Sequence, residues 1–175
     1  MTELEIRRAR QDELEAVGNL MELYLHDLTD FWPYDVDETG RFGAPSLPTY
    51  WSDPSRCAYV FRMNGVYVGF ALVSDDVCLP HNEYWMAQFF VMRRYRRRGI
   101  AEAAAVRIFD DLPGRWEIGQ IPLNTPAQAF WHGVIDRYTQ GQFSTGLFDD
   151  EQWRGPLQWF DNTAQTLPMP GLTAG

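Results

Sequence analysis

The chain has 175 residues, enough for one domain around one core, and 45% hydrophobic with 15% aromatic residues supply the material to pack it. Lys+Arg 15 against Asp+Glu 24 leave a net charge of -9, and no lysine occurs, so every cation is an arginine. This acidity excludes a general nucleic-acid binder, which needs spread-out positive charge, and no stretch reaches the roughly 20 apolar residues of a membrane helix. In chain order, residues 4–10 alternate and read as an edge strand. Asp12 is placed to cap a helix in which Leu14, Val17, Met21, Tyr24 and Leu28 recur at helical spacing. From 29 to 51 Pro33, Gly40, Gly43, Pro45 and Pro48 interrupt any period, which predicts a long loop with one short helix.

Residues 58–63 and 66–74 flank Asn64-Gly65 and carry the strongest hairpin signal, because Asn-Gly accepts the positive φ angles of a type I′ turn. Residues 83–91 form a further apolar, aromatic strand. A helix opening near Gly99 places Ala101, Ala105, Ile108 and Leu112 on one face, and Pro113-Gly114 stops it. Residues 115–123 read as a strand. Thr125 then caps a helix with Pro126 at its first position and a stripe of Ala127, Phe130, Trp131, Val134 and Tyr138. Beyond Gly141 the pattern weakens, with 158–160 as a last strand. Residues 1–160 are expected to form one mixed α/β domain, and 161–175, rich in Thr, Pro, Gly and Ala, a flexible tail.

Cys57 and Cys78 are too far apart for a zinc or redox motif and read as free thiols of a cytoplasmic protein. The N-terminus is charged throughout and shows neither a secretory nor a transit pattern. His26, His81 and His132 share no ligand-like spacing, so no metal site is expected. The chemistry is concentrated where the strand 83–91 runs through Arg93, Arg94, Arg96, Arg97 and Arg98 into a helix. Such a turn gathers unpaired N–H groups, the positive end of a helix dipole and guanidinium groups, which together suit a pyrophosphate. Gly99 lets the backbone approach the anion with no Cβ in the way.

The segment 89–101 resembles the acetyl-CoA signature of the GNAT N-acyltransferases, Arg/Gln-x-x-Gly-x-Gly/Ala, filled here by Arg96, Gly99 and Ala101. Asn124, Ala127 and Phe130 resemble that family's second cofactor element, Asn-x-x-Ala-x-x-aromatic. The resemblance covers roughly residues 3–140. It implies a single-domain fold with a mixed, mostly antiparallel central sheet flanked by helices and strands splayed at the cofactor site. It also implies acetyl-CoA as cosubstrate and direct attack by a primary amine, with no covalent enzyme intermediate.

Carried over by position, Phe89, Phe90 and Val91 would meet the pantetheine arm. Arg96, Arg97, Arg98, Gly99, Ile100 and Ala101 would cradle the pyrophosphate, and Asn124 and Phe130 would contact the cofactor, their other readings being a helix cap for Asn124 and core packing for Phe130. The sequence departs from the pattern where the family often has a proton-donating tyrosine. Trp131 stands there, and its indole is a poor acid. Tyr138, two turns on along the same helix, is the substitute, and its other reading is ordinary packing. Strand alternation puts Glu83, Trp85, Ala87, Phe89 and Val91 on one face, making Glu83 the candidate base.

Asp30, Trp32 and Tyr34, in the loop after the first helix, combine acid and aromatic surface suited to an ammonium group. The predicted partner is a small-molecule or peptide amine, with no nucleic acid and no membrane, and a homodimer is left open as its assembly. Trp131 keeps alive the alternative of a non-catalytic acyl-CoA sensor or regulatory module.

Overall fold

Asn64 and Gly65 take φ angles of 49° and 79°, the mirror-image turn that Asn-Gly favours, and join strand β2 (Cys57–Met63) to β3 (Val66–Ser74). The computed structural model describes residues 3–163. Its other elements are β1 (Leu4–Arg8), α1 (Leu14–Leu28), α2 (Thr49–Ser52), β4 (Tyr84–Val91), α3 (Ile100–Asp111), β5 (Arg115–Gly119), α4 (Thr125–Thr139), β6 (Ser144–Asp149) and β7 (Arg154–Asp161). The strands form one sheet in the order β1-β2-β3-β4-β5-β7-β6. Every neighbouring pair is antiparallel except β4 and β5.

Helical periodicity decides what covers each face. Val17, Leu20 and Met21 of α1, with Leu47 and Tyr50, pack on Val60, Phe70, Leu72 and Phe90. On the other face Ala104, Ala105, Ile108 and Phe109 of α3 and Trp131, Val134 and Ile135 of α4 cover Tyr59, Phe61, Val73, Met86 and Trp116. Each large apolar side chain buried this way contributes about 1.5–3 kcal/mol.

Two features of β4 position the site. Leu72 pairs with Gln88 and Val73 with Met86, so Ala87 has no partner on β3 and forms a bulge. Beyond Tyr84–Trp116 and Trp85–Glu117, the parallel strands β4 and β5 no longer pair. The two strands therefore splay, leaving one edge of β4 without a neighbour.

Several expectations shift. Asp12 does not cap α1. A 3-10 turn, Gln11–Glu13, leads into the helix instead, and the Glu13 carboxylate closes that turn by accepting from the Arg10 N–H at 2.8 Å, while α1 itself has no side-chain cap. Asn124, not Thr125, caps α4, its Oδ1 accepting from the Ala127 N–H at 3.1 Å. β5 ends at Gly119, short of residue 123, and Trp85 and Trp153 pack over that glycine; a Cβ there would lie 2.5 Å from Trp85 and 2.7 Å from Trp153. β6 escaped the sequence reading because as an exposed edge strand it buries almost no apolar face: its Leu147 is 84% exposed. β7 is longer than residues 158–160 and reaches Asp161, and buried Asn162 follows it, holding the Gly114 N–H and the Phe109 carbonyl at 2.6 and 2.8 Å. The expected tail at 161–175 thus starts with residues tied to the domain, and 164–175 lie outside the described residues.

Candidate active site

The splay opens a cleft of about 460 Å³. Trp85 to Phe89 form one wall, Gly119, Gln120 and Ile121 the other. Asn124, the cap of α4, with Ala127 and Trp131 of that helix close one face, Tyr24 and Leu28 of α1 the other. Gln120 lies deep in the wall, with Nε2 donating to the Ile118 carbonyl at 2.8 Å and Oε1 buried without a partner. The carbonyl fixes which end of the amide is nitrogen. A lone buried acceptor in a cleft wall suits a polar occupant.

At the C-terminal end of β4 the chain passes through a 3-10 turn, Arg93–Tyr95, to the start of α3. Arg97 and Gly99 have φ angles of 61° and 75°. No atom lies within 4 Å of where a Gly99 Cβ would sit, so the cradle is open on that side. The helix has no side-chain cap, and its first ladder bond is the Ala103 N–H to the Gly99 carbonyl at 3.0 Å. The N–H groups of Ile100, Ala101 and Glu102 precede that bond and have no carbonyl one turn back to receive them. A phosphate-bearing cosubstrate fits such a cradle, with bare donors and dipole on one side and arginines on the other.

The arginines divide. Arg93 Nη2 lies 2.9 Å from Asp27 and 3.8 Å from Asp30; Arg96 Nη2 lies 2.5 Å from Asp27, and its Nε donates to the Val91 carbonyl at 2.7 Å. Arg94, Arg97 and Arg98 have no carboxylate partner among the described residues and are free to meet an anion. Arg96 is therefore a brace, and the Val91 carbonyl is already engaged. Phe90 and Ile100 are buried, at 4% and 1% exposed, and offer only backbone. Phe130 stacks on Phe89, centroids 6.0 Å apart, outside the residues that line the cleft. Asn124 lines it with Oδ1 spent on the cap, which leaves its Nδ2 for a ligand.

The two proposed catalytic residues lie outside the cleft. Glu83 accepts from the Arg115 N–H at 3.0 Å and pairs with the Arg115 guanidinium at 3.6 Å, at the opposite end of β4 from the arginine loop. The bulge explains the error. Tyr84 and Met86 share the α3–α4 face with Phe89 and Val91, so face parity changes at Ala87. Tyr138 gives its hydroxyl to Asp110 at 2.9 Å and receives from Asn162 at 3.3 Å, and burial pushes its phenol up to about 12. Asp30 is also absent from the cleft: it is 68% exposed beside Arg93.

Trp32 and Tyr34 do line a concavity. Together with Trp153, Asp150 and Glu151 they border a hollow of about 320 Å³ that shares Tyr34, Ile121, Gln152 and Trp153 with the main cleft. Sequence reasoning missed Trp85, Gln120 and the hairpin residues Asp150 to Trp153. The one available signal was the acidic run at 149–151 beside a tryptophan, and nothing in its period linked it to the loop at 30–34. Cys78 also lines the cleft, its thiol pushed up to about 12 by burial and then by the Glu117 charge.

A bulged β4 splayed from a parallel β5, with a bare helix N-terminus at its end, defines a mixed-sheet fold whose cleft can take an extended, phosphate-bearing cosubstrate. The model of the Acetyltransferase (GNAT) family matches residues 19–133, and the chain belongs to that family. It is an acetyl-CoA-dependent acyltransferase. Similar solved structures include diaminobutyrate acetyltransferase EctA from Paenibacillus lautus, in complex with L-2,4-diaminobutyric acid and coenzyme A, at 18% identity and TM-score 0.59, covering 98% of this chain and 100% of that one. An acetyltransferase from Thermus thermophilus shares 17% identity at TM-score 0.61, covering 89% and 94%. The paia N-acetyltransferase from Thermoplasma acidophilum, in complex with coenzyme A, shares 11% at TM-score 0.61, covering 91% and 99%. At these identities the likeness establishes the fold. No curated protein sequence matches the chain. No helix among the described residues is long and apolar enough to cross a membrane.

Proposed function

We propose that the chain transfers the acetyl group of acetyl-CoA to the primary amine of a cationic small molecule or peptide. The observation that carries this reading is the acceptor-side hollow, where the faces of Trp32, Tyr34 and Trp153 stand beside Asp150 and Glu151. Aromatic faces and carboxylates together attract ammonium groups, and a partly desolvated cation–π contact is worth about 1–2 kcal/mol.

The free edge of β4 near Phe89 and Phe90 takes the pantetheine amides. The N–H groups from Arg97 to Ala101 take the pyrophosphate, with Arg94, Arg97 and Arg98 supplying charge. The amine attacks the thioester carbonyl directly, and positioning in the cleft supplies much of the rate. Asp76, the one acid among the described residues that line the main cleft, is held by Arg56 at 3.0 Å, so solvent takes the amine's first proton. A cytoplasmic setting, where acetyl-CoA is made and thiols such as Cys57 and Cys78 stay reduced, goes with this chemistry.

Calorimetry with CoA, followed by thiol release across polyamines, aminoglycosides, amino acids and peptide N-termini, tests the reading. Cationic acceptors are expected to turn over. CoA binding without acetylation of any of them would favour the sensor instead.

A further inference from the structure

With Trp131 at the usual acid position and Tyr138 outside the cleft, the departing thiolate needs another proton donor. We propose that Tyr24, on α1, is the general acid that protonates the CoA sulfur. This rests on the acyl-transfer reading and names a catalytic group on the face of β4 opposite α4.

Tyr24 lines the cleft together with Ala87, Gln88 and Phe89. Its ring is held edge-on to Phe70, centroids 6.0 Å apart at 87°, and tilted on Phe90 at 5.8 Å. Its side chain is thus fixed beside the β4 segment that bulges away from β3 and has no partner strand on its other edge. The hydroxyl makes no hydrogen bond to the described residues, so its proton is free for a ligand in the cleft. Burial, reinforced by Tyr34 nearby, raises its phenol above the ordinary value, so the hydroxyl is protonated at neutral pH.

The other donors lining the cleft are less suited. Tyr50 lies under the Arg56 guanidinium, 5.5 Å from its ring centroid. Tyr34 stands at the rim, 39% exposed. Cys78 lies beside the charge of Glu117.

The step balances. The amine nitrogen bonds to the carbonyl carbon, the C–S bond breaks and its electron pair goes to sulfur. Sulfur takes the Tyr24 phenolic proton and leaves as the thiol. The phenolate regains a proton from the one the amide nitrogen sheds, through solvent.

The test compares wild type, Tyr24→Phe and Tyr34→Phe. Its first readout uses CoA alone: the thiolate absorbance of enzyme-bound CoA is titrated against pH. Loss of a donor to the sulfur should raise the bound thiol's midpoint by about one unit in Tyr24→Phe, while CoA affinity by calorimetry stays within about twofold. Its second readout is turnover with n-butylamine and putrescine as acceptors, where kcat should fall roughly a hundredfold with the KM for acetyl-CoA little changed. An unshifted thiol midpoint would overturn the assignment, as would a kcat loss carried by Tyr34→Phe and not by Tyr24→Phe. Failure of the wild type to acetylate any amine would instead count against the acyl-transfer reading, and the thiol titration would still decide the role of Tyr24.

Discussion

Asp27 on α1 holds the Arg96 Nη2 at 2.5 Å while the Nε of the same guanidinium donates to the Val91 carbonyl at 2.7 Å. One side chain therefore ties the helix that walls the acceptor cleft to the last carbonyl of β4 and to the loop that cradles phosphate. Asp27→Asn should raise the KM for acetyl-CoA by about three- to tenfold and change kcat less, because it loosens the loop without touching the reacting atoms. Steady-state kinetics over acetyl-CoA checks this, and a kcat loss at unchanged KM would contradict the brace.

Gly99 sits at a φ of 75° with open space in front of it. Gly99→Glu would put a carboxylate where the pyrophosphate is expected and burden a left-handed backbone position, costing about 1 kcal/mol in strain alone. CoA affinity measured by calorimetry should fall by more than about a hundredfold. Unchanged affinity would mean that the phosphates bind elsewhere.

Glu13 is 2% exposed and accepts from Arg7 at 2.6 and 2.9 Å, from the Arg10 N–H at 2.8 Å and from the Tyr67 hydroxyl at 2.7 Å. The Arg7 hydrogen bond outweighs desolvation and lowers its carboxyl from 4.5 to about 2. A carboxyl with a depressed folded-state value stabilises the fold above its unfolded value, and that stability is lost as pH falls from 4.5 towards about 2. Glu13→Gln should cost about 2–4 kcal/mol at neutral pH. Thermal melts should show the gap to wild type narrowing across that acid window. A gap independent of pH would show that packing, not charge, is what Glu13 supplies.

Glu83→Gln should leave the pH dependence of kcat unchanged, because its carboxylate is held by Arg115 away from the cleft. Tyr138→Phe should likewise keep kcat within about twofold while losing about 1 kcal/mol of stability with its two hydrogen bonds. A flattened pH–rate profile for Glu83→Gln would return that residue to the reaction.

Trp153 pairs with Trp85 at 5.3 Å across Gly119 and faces the acidic hairpin residues. Trp153→Ala should raise the KM for cationic acceptors by about tenfold and leave that for acetyl-CoA unchanged, since only the acceptor wall loses its ring. Equal changes in both KM values would point to a general collapse of the splay.

The local signals in the sequence carried a good deal of this. Asn64-Gly65 specified the hairpin, the 3.6-residue stripes specified α1, α3 and α4, and Arg96, Gly99 and Ala101 marked the loop that opens α3 with bare N–H groups, because turn, helix and helix start each depend on neighbours a few residues apart. What tertiary structure alone decided was which faces meet. The bulge at Ala87 changed strand parity and removed Glu83. Asp27 turned Arg96 from an anion ligand into a brace. The β6–β7 hairpin carried Asp150 and Trp153 to a loop more than a hundred residues earlier. Strand pairing and side-chain contact across the sheet join residues distant in sequence, so no local period records them.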